Sequence, residues 1–82
     1  MMMKQGRYLS YHRNGRIERD CHFLNNELHG PYVSWFFTGF KSVEGNFVQG
    51  KKEGNFIEWN LMGDHCVLVY QNDIIINRYI PQ

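Results

Sequence analysis

The stretch FLNNELHGPYVSW, residues 23–35, decides the fold because the chain nearly repeats it 24 residues later. Residues 47–59 read FVQGKKEGNFIEW, with the leading aromatic residue, the glycine and the closing tryptophan in the same places. Self-similarity at a fixed period is the signature of a repeat protein, in which one unit cannot bury its apolar face alone. The sequence therefore predicts an array of similar small units.

Six of the eight glycines fall into two columns with this spacing. The columns are Gly6, Gly30 and Gly54, then Gly15, Gly39 and Gly63. They divide a single predicted domain, residues 1–82, into repeats at about 6–29, 30–53 and 54–76. The third repeat is one residue shorter than the others, between Gly63 and Tyr70.

Apolar positions within each repeat alternate with a period of two, which predicts β-strands because successive side chains of a strand point to opposite faces. In the second repeat Val33 and Trp35 share one face, and Tyr32 and Ser34 share the other. The face with the tryptophans is the more apolar of the two, and three repeats leave it with little cover from the same chain. The predicted fold class is all-β, a single-layer antiparallel β-meander of about three 24-residue hairpin repeats.

Two sets of turns connect the predicted strands. Asn14-Gly15 is the pair most favoured in a two-residue type I′ turn, which requires positive φ at both central residues. The alternate turns are expected at the polar pairs Asn25-Asn26, Gln49-Gly50 and Asn72-Asp73. The chain is therefore predicted to reverse direction about every 12 residues.

The repeat resembles the MORN-repeat core, whose pattern is aromatic, any residue, Asn, Gly, Lys, any residue, His, Gly. Residues 23–30 (FLNNELHG) resemble it, and residues 47–54 (FVQGKKEG) match it at the aromatic residue, Gly50, Lys51 and Gly54. Among the departures, Asn26 replaces a Gly and Glu53 replaces the His. The chain is most similar to the longer MORN-like variant of the antitoxin-like YwqK family. The resemblance implies an elongated one-layer sheet and roles in scaffolding, dimerisation or membrane-lipid contact. It also implies that His29 hydrogen-bonds a turn.

Composition excludes several classes of function. The formal net charge is +1, which disfavours a nucleic-acid partner. No apolar run approaches the ~20 residues of a membrane span, and the first residues do not read as a signal peptide. We therefore expect a soluble cytoplasmic protein whose two cysteines, Cys21 and Cys66, remain thiols.

Catalytic and metal-binding patterns were sought without success. The four histidines and two cysteines show neither CxxC nor HxxxH spacing, and the chain has no GxSxG motif, no phosphate-binding glycine loop and no paired carboxylates. The sequence predicts no enzymatic activity, no cofactor and no metal site.

The segment IIINRYI, residues 74–80, is the most β-prone and least polar part of the chain. It ends the repeat series, so it forms either an edge strand or a strand that caps its own sheet. An exposed edge favours pairing with another chain. We therefore expect a homodimer assembled through the C-terminal repeat, with exchange of a terminal strand or hairpin as one route.

Three functions follow from these features. The leading hypothesis is a non-enzymatic scaffolding module that binds proteins, including its own copies. The alternatives are an antitoxin or immunity-type inhibitor, implied by the family resemblance, and peripheral lipid binding through the basic N-terminal region and exposed aromatic residues. The candidate protein-binding residues are Tyr11, Tyr32, Trp35, Phe56, Trp59, Ile74, Ile75, Ile76 and Tyr79.

Overall fold

The computed structural model describes residues 3–81 and places them in one antiparallel sheet. The strands are β1 (Gly6–Tyr11), β2 (Ile17–Leu24), β3 (Glu27–Leu28), β4 (Gly30–Trp35), β5 (Lys41–Val48), β6 (Lys51–Lys52), β7 (Gly54–Trp59), β8 (His65–Gln71) and β9 (Ile74–Tyr79). No helix occurs in the described part of the chain. The predicted all-β class is confirmed.

Neighbouring strands follow the chain as a meander, in the order β1-β2-β4-β5-β7-β8-β9. The two short strands lie off this path, where β3 pairs with β2 and β6 pairs with β5. The Cα atoms extend over 46 × 34 × 12 Å. Since two packed sheets would already lie about 10 Å apart, a body this thin has a single layer. The single-layer meander predicted from the repeat is therefore observed.

Type I′ geometry occurs at the polar pairs of the alternate turns. Asn25 and Asn26 have φ values of 52° and 70°, and the pairs Gln49-Gly50 and Asn72-Asp73 also have positive φ at both residues. Asparagine, aspartate and glycine tolerate this region better than other residues. These turns set the register of the strands that follow them.

The prediction of a type I′ turn at Asn14-Gly15 was wrong. Of these two residues only Gly15 has positive φ, at 88°. Its N–H donates to the carbonyl of His12, and the N–H of His12 donates to the carbonyl of Arg16. This is a three-residue loop in which glycine takes the left-handed position, the other common hairpin geometry.

The residue missing from the third repeat is a β-bulge residue. Where β1 pairs with β2, the register shifts beside Tyr11 and leaves Glu18 as an extra residue. Where β4 pairs with β5, the same shift beside Trp35 leaves Ser42 extra. Strands β7 and β8 pair without any shift. The deletion thus removes the bulge from the third hairpin.

The hydrophobic core cluster lies on the face opposite the tryptophans. Its members are Phe56, Leu68 and Tyr70, with Val43 and Phe47 packed against them. The ring of Phe56 meets those of Phe47 and Tyr70 edge-to-face, at centroid distances of 5.5 and 5.2 Å. Rings from neighbouring strands interlock this way because the edge of one ring is attracted to the face of another.

Phe56 has no exposed surface, although the sheet has only one layer. The strand beside it carries Gly45, and a Cβ built on Gly45 would approach the ring carbons of Phe56 to less than 3.0 Å. On its other side the ring is approached by Lys52, whose Nζ is 5.3 Å from the centroid. The ring of Phe56 therefore occupies space that a side chain at residue 45 would fill.

Replacing Gly45 by Ala is expected to lower the free energy of unfolding by about 1–3 kcal/mol, because the added methyl group displaces a buried ring. Urea denaturation followed by tryptophan fluorescence measures the loss. The double variant Gly45→Ala with Phe56→Leu is the control, since the smaller side chain leaves room for the methyl group. Strictly additive losses in the double variant would contradict the proposed contact.

Candidate functional site

Hydrogen bonds from the turns join each repeat to the chain segment that precedes it, which is the N-terminal residues for the first repeat and the previous repeat for the other two. In each case the second residue of a type I′ turn donates its N–H to a backbone carbonyl of that segment. The pairs are Asn26 to Lys4 at 3.1 Å, Gly50 to Leu28 at 2.8 Å and Asp73 to Lys52 at 3.0 Å. The same contact recurs at all three turns, so one geometry connects the repeats throughout.

The first residue of each turn donates to a side-chain acceptor in the same preceding segment. The donor and acceptor pairs are Asn25 N–H to Gln5 Oε1 at 2.8 Å, Gln49 N–H to His29 Nδ1 at 3.1 Å and Asn72 N–H to Glu53 Oε1 at 3.2 Å. We call Gln5, His29 and Glu53 the acceptor column. The expected role of His29 as a hydrogen-bond partner of a turn is confirmed, and the turn belongs to the next repeat.

The acceptor column explains a departure from the MORN pattern. Glu53 stands where the pattern has histidine, yet its carboxylate accepts the same backbone hydrogen bond. With the one-residue deletion counted, the next position of the column is Ile76, whose side chain has no acceptor. Strand β9 therefore lacks the side-chain acceptor that the turn of a further repeat would need.

Strand β9 is an edge strand that extends the sheet. It pairs with β8 on one side, and the sheet order places no described strand on its other side. The side chains of Ile74, Ile75, Ile76 and Tyr79 are 66, 52, 58 and 45% exposed. The alternative of a cap folded over one face of the sheet is thus not what the structure shows.

The remaining predicted binding residues are separated by the fold. Tyr11 is exposed on β1, the edge strand farthest from β9, while Tyr32, Trp35 and Trp59 are half-buried. Phe56 is enclosed in the core, so its ring is not accessible to a partner in this structure. Of the predicted set, only the residues of β9 lie together, exposed, on one edge strand.

Sequence reasoning missed an apolar surface formed by two of the three-residue loops. We call it the loop edge, and its exposed members are Phe37, Phe40, Leu61 and Met62. A groove of about 430 Å³ lies between Phe40 and the loop of the third repeat, beside Trp59. The available signal was the apolar residues beside Gly39 and Gly63, where turns usually carry polar ones.

Three groups have shifted pKa values: Arg7, Asp20 and Cys21. Arg7 Nη2 donates to Asp20 Oδ2 at 2.8 Å, and this hydrogen bond and ion pair lower the pKa of Asp20 and raise that of Arg7. Burial raises the pKa of the Cys21 thiol, which makes it a weaker nucleophile at neutral pH. The Arg7–Asp20 ion pair and the buried Cys21 thiol are therefore interpreted as structural features.

Within residues 3–81, no group of three or more His, Cys, Asp or Glu side chains is close enough to hold a metal ion. The same residues contain no helix long and apolar enough to cross a membrane. The absence of catalysis, cofactor and metal stays a prediction.

Comparison of the chain with protein-family models, curated proteins and solved structures gives no match. The resemblance to MORN repeats therefore depends on the residue pattern alone.

Replacing His29 by Leu is expected to lower the free energy of unfolding by about 1 kcal/mol, because the N–H of Gln49 loses its acceptor. Replacing His29 by Gln should preserve most of the stability, since glutamine fills the same position of the acceptor column at Gln5. Urea denaturation at neutral pH compares the two variants. Equal destabilisation by both substitutions would show that the hydrogen bond does not matter.

Proposed function

We propose that this protein is a MORN-like, non-enzymatic scaffolding module that self-associates through β9. The observation that carries the proposal is the open edge of β9, which presents four large exposed apolar side chains. An edge strand also presents unpaired backbone N–H and C=O groups, which favour pairing with another chain.

The protection that natural proteins give to such an edge is weak here. Charged side chains, proline and short strand length are the usual devices that prevent pairing at an edge. Strand β9 is six residues long, Arg78 is its one charged residue, and Pro81 follows only after the strand has ended. The composition of β9 therefore favours association.

Two routes lead to a dimer through β9. In the first, the strand adds to the edge of a second sheet. In the second, a terminal strand or the hairpin β8–β9 exchanges with its equivalent in another copy. The exchanged segment then makes with the partner the same contacts that it makes within its own chain. Binding of a different protein at this edge, as an antitoxin or immunity-type inhibitor, would instead give a heteromeric complex.

A dimer is expected by light scattering coupled to size-exclusion chromatography over a dilution series. Combined substitution of Ile74 by Lys and Ile76 by Thr should give a folded monomer, because it places charge and polarity on the edge. The matched control is Leu9→Lys, which changes an exposed apolar residue of the opposite edge strand. A wild-type protein that is monomeric at every concentration would refute self-association.

A second candidate function, contact with an anionic lipid surface, is supported by the loop edge. Its most exposed residue, Met62, is 87% accessible, and the corresponding loop of the first repeat carries Arg13 and Arg16. Exposed apolar side chains near basic ones suit the boundary between lipid headgroups and acyl chains. The exposed apolar side chains and the two arginines thus lie at corresponding loops of different repeats.

Co-sedimentation with vesicles of phosphatidylserine and phosphatidylcholine tests the lipid candidate. We expect binding that weakens with added salt, because exposed charges are screened. The variant Met62→Asp should bind less, whereas Ile74→Lys, which alters the β9 edge, should bind as the wild type does. Equal sedimentation with and without vesicles would exclude this function.

A further inference from the structure

The two edge strands of the sheet run in the same direction. Seven strands form the path from β1 to β9, and each is antiparallel to its neighbours. With an odd number of alternating strands, the first and the last are parallel. Extension from β9 of one copy to β1 of another in the same orientation would therefore create a parallel pair, which is slightly less stable per residue than an antiparallel pair.

The two faces of the sheet restrict the arrangement further. An antiparallel pairing of β9 with β1 of a second copy requires that copy to be turned over, so that its aromatic core continues onto the tryptophan face of the first. A pairing of β9 with β9 has neither drawback. A two-fold axis perpendicular to the sheet reverses the strand direction and keeps each face on the same side.

A bulge in β9 allows this strand to pair with its own copy along its whole length. Ile75 pairs with Tyr70 and Asn77 pairs with Val69, so Ile76 is an extra residue. In a regular strand Ile75 and Arg78 would lie on opposite faces, because they are three positions apart. The bulge brings them to the same face, the face of the aromatic core.

The other paired residues of β9 lie together on the opposite face. Ile74, Asn77 and Tyr79 pair with Gln71, Val69 and Val67, which share the tryptophan face. Full overlap of two antiparallel β9 strands then sets Asn77 opposite Asn77 of the copy. Around it, Arg78 is opposite Ile75 and Tyr79 is opposite Ile74, so that the two members of each pair lie on the same face of the sheet.

We propose that two copies of this chain join β9 to β9 about a two-fold axis at Asn77, forming one continuous antiparallel sheet. This inference rests on the proposed self-association and specifies its interface. The end of the acceptor column at Ile76 agrees with it, since β9 does not offer the side-chain contact that receives a further repeat. The two-fold contact also closes the assembly, because it uses β9 of both copies.

Disulfide trapping tests the register. Directly opposed residues of antiparallel strands have Cα atoms about 4.5–5.5 Å apart, within the range that a disulfide spans. The variant Asn77→Cys, oxidised in the otherwise unchanged chain, should become mostly covalent dimer linked through position 77, as mapped by peptide mass spectrometry. The wild type measures any link through Cys21 or Cys66, and Leu9→Cys reports on contact between β1 strands.

A second trap keeps the inference testable if Asn77→Cys folds poorly by circular dichroism. A mixture of the variants Ile74→Cys and Tyr79→Cys should form a mixed disulfide, because the register places these two positions opposite each other. A protein that is a dimer in solution but gives neither link would overturn the β9 register while leaving self-association intact. A dimer cross-linked through Leu9→Cys would assign the interface to β1 instead, whereas a monomer would refute both proposals.

Discussion

A sheet of one layer has to bury its apolar side chains against its own strands. In this protein the burial depends on aromatic rings that lie across neighbouring strands, and Phe56 above the bare backbone of Gly45 is the most complete case. The rings of Phe47 and Tyr70 close the sides of this site. Because no second layer covers the sheet, large apolar side chains remain exposed at its edges and loops.

The hydrogen bonds between repeats follow from the same constraint. A hairpin that cannot enclose a core gains stability from its neighbours, so each turn is bound to the segment that precedes its repeat by a backbone carbonyl and a side-chain acceptor. An amide, an imidazole and a carboxylate serve equally in the acceptor column, at Gln5, His29 and Glu53. What the position requires is a lone pair at the right distance, and residue identity is secondary.

The sequence pattern predicted the meander well, because glycines with positive φ and alternating apolar residues act locally. It failed where neighbouring strands decide. The burial of Phe56 depends on Gly45 in the neighbouring strand, a relation between residues eleven positions apart that no single strand reveals. The loop at Asn14-Gly15 depends on hydrogen bonds across the hairpin. The exposed isoleucines of β9 were predicted from their place at the end of the array. Phe56 was wrongly assigned to a binding surface, because the residues that bury it lie on other strands and its own strand does not show them.

The direction of the strands bears on how such a protein can change its length. Each repeat contributes two strands, so duplication or loss of an internal repeat adds or removes an even number. The first and last strands then remain parallel whatever the number of repeats. Since every boundary between repeats uses the same hydrogen bonds, an inserted repeat finds its contacts on both sides. Growth from within thus alters the span of the sheet and leaves the chemistry and orientation of its terminal strand unchanged.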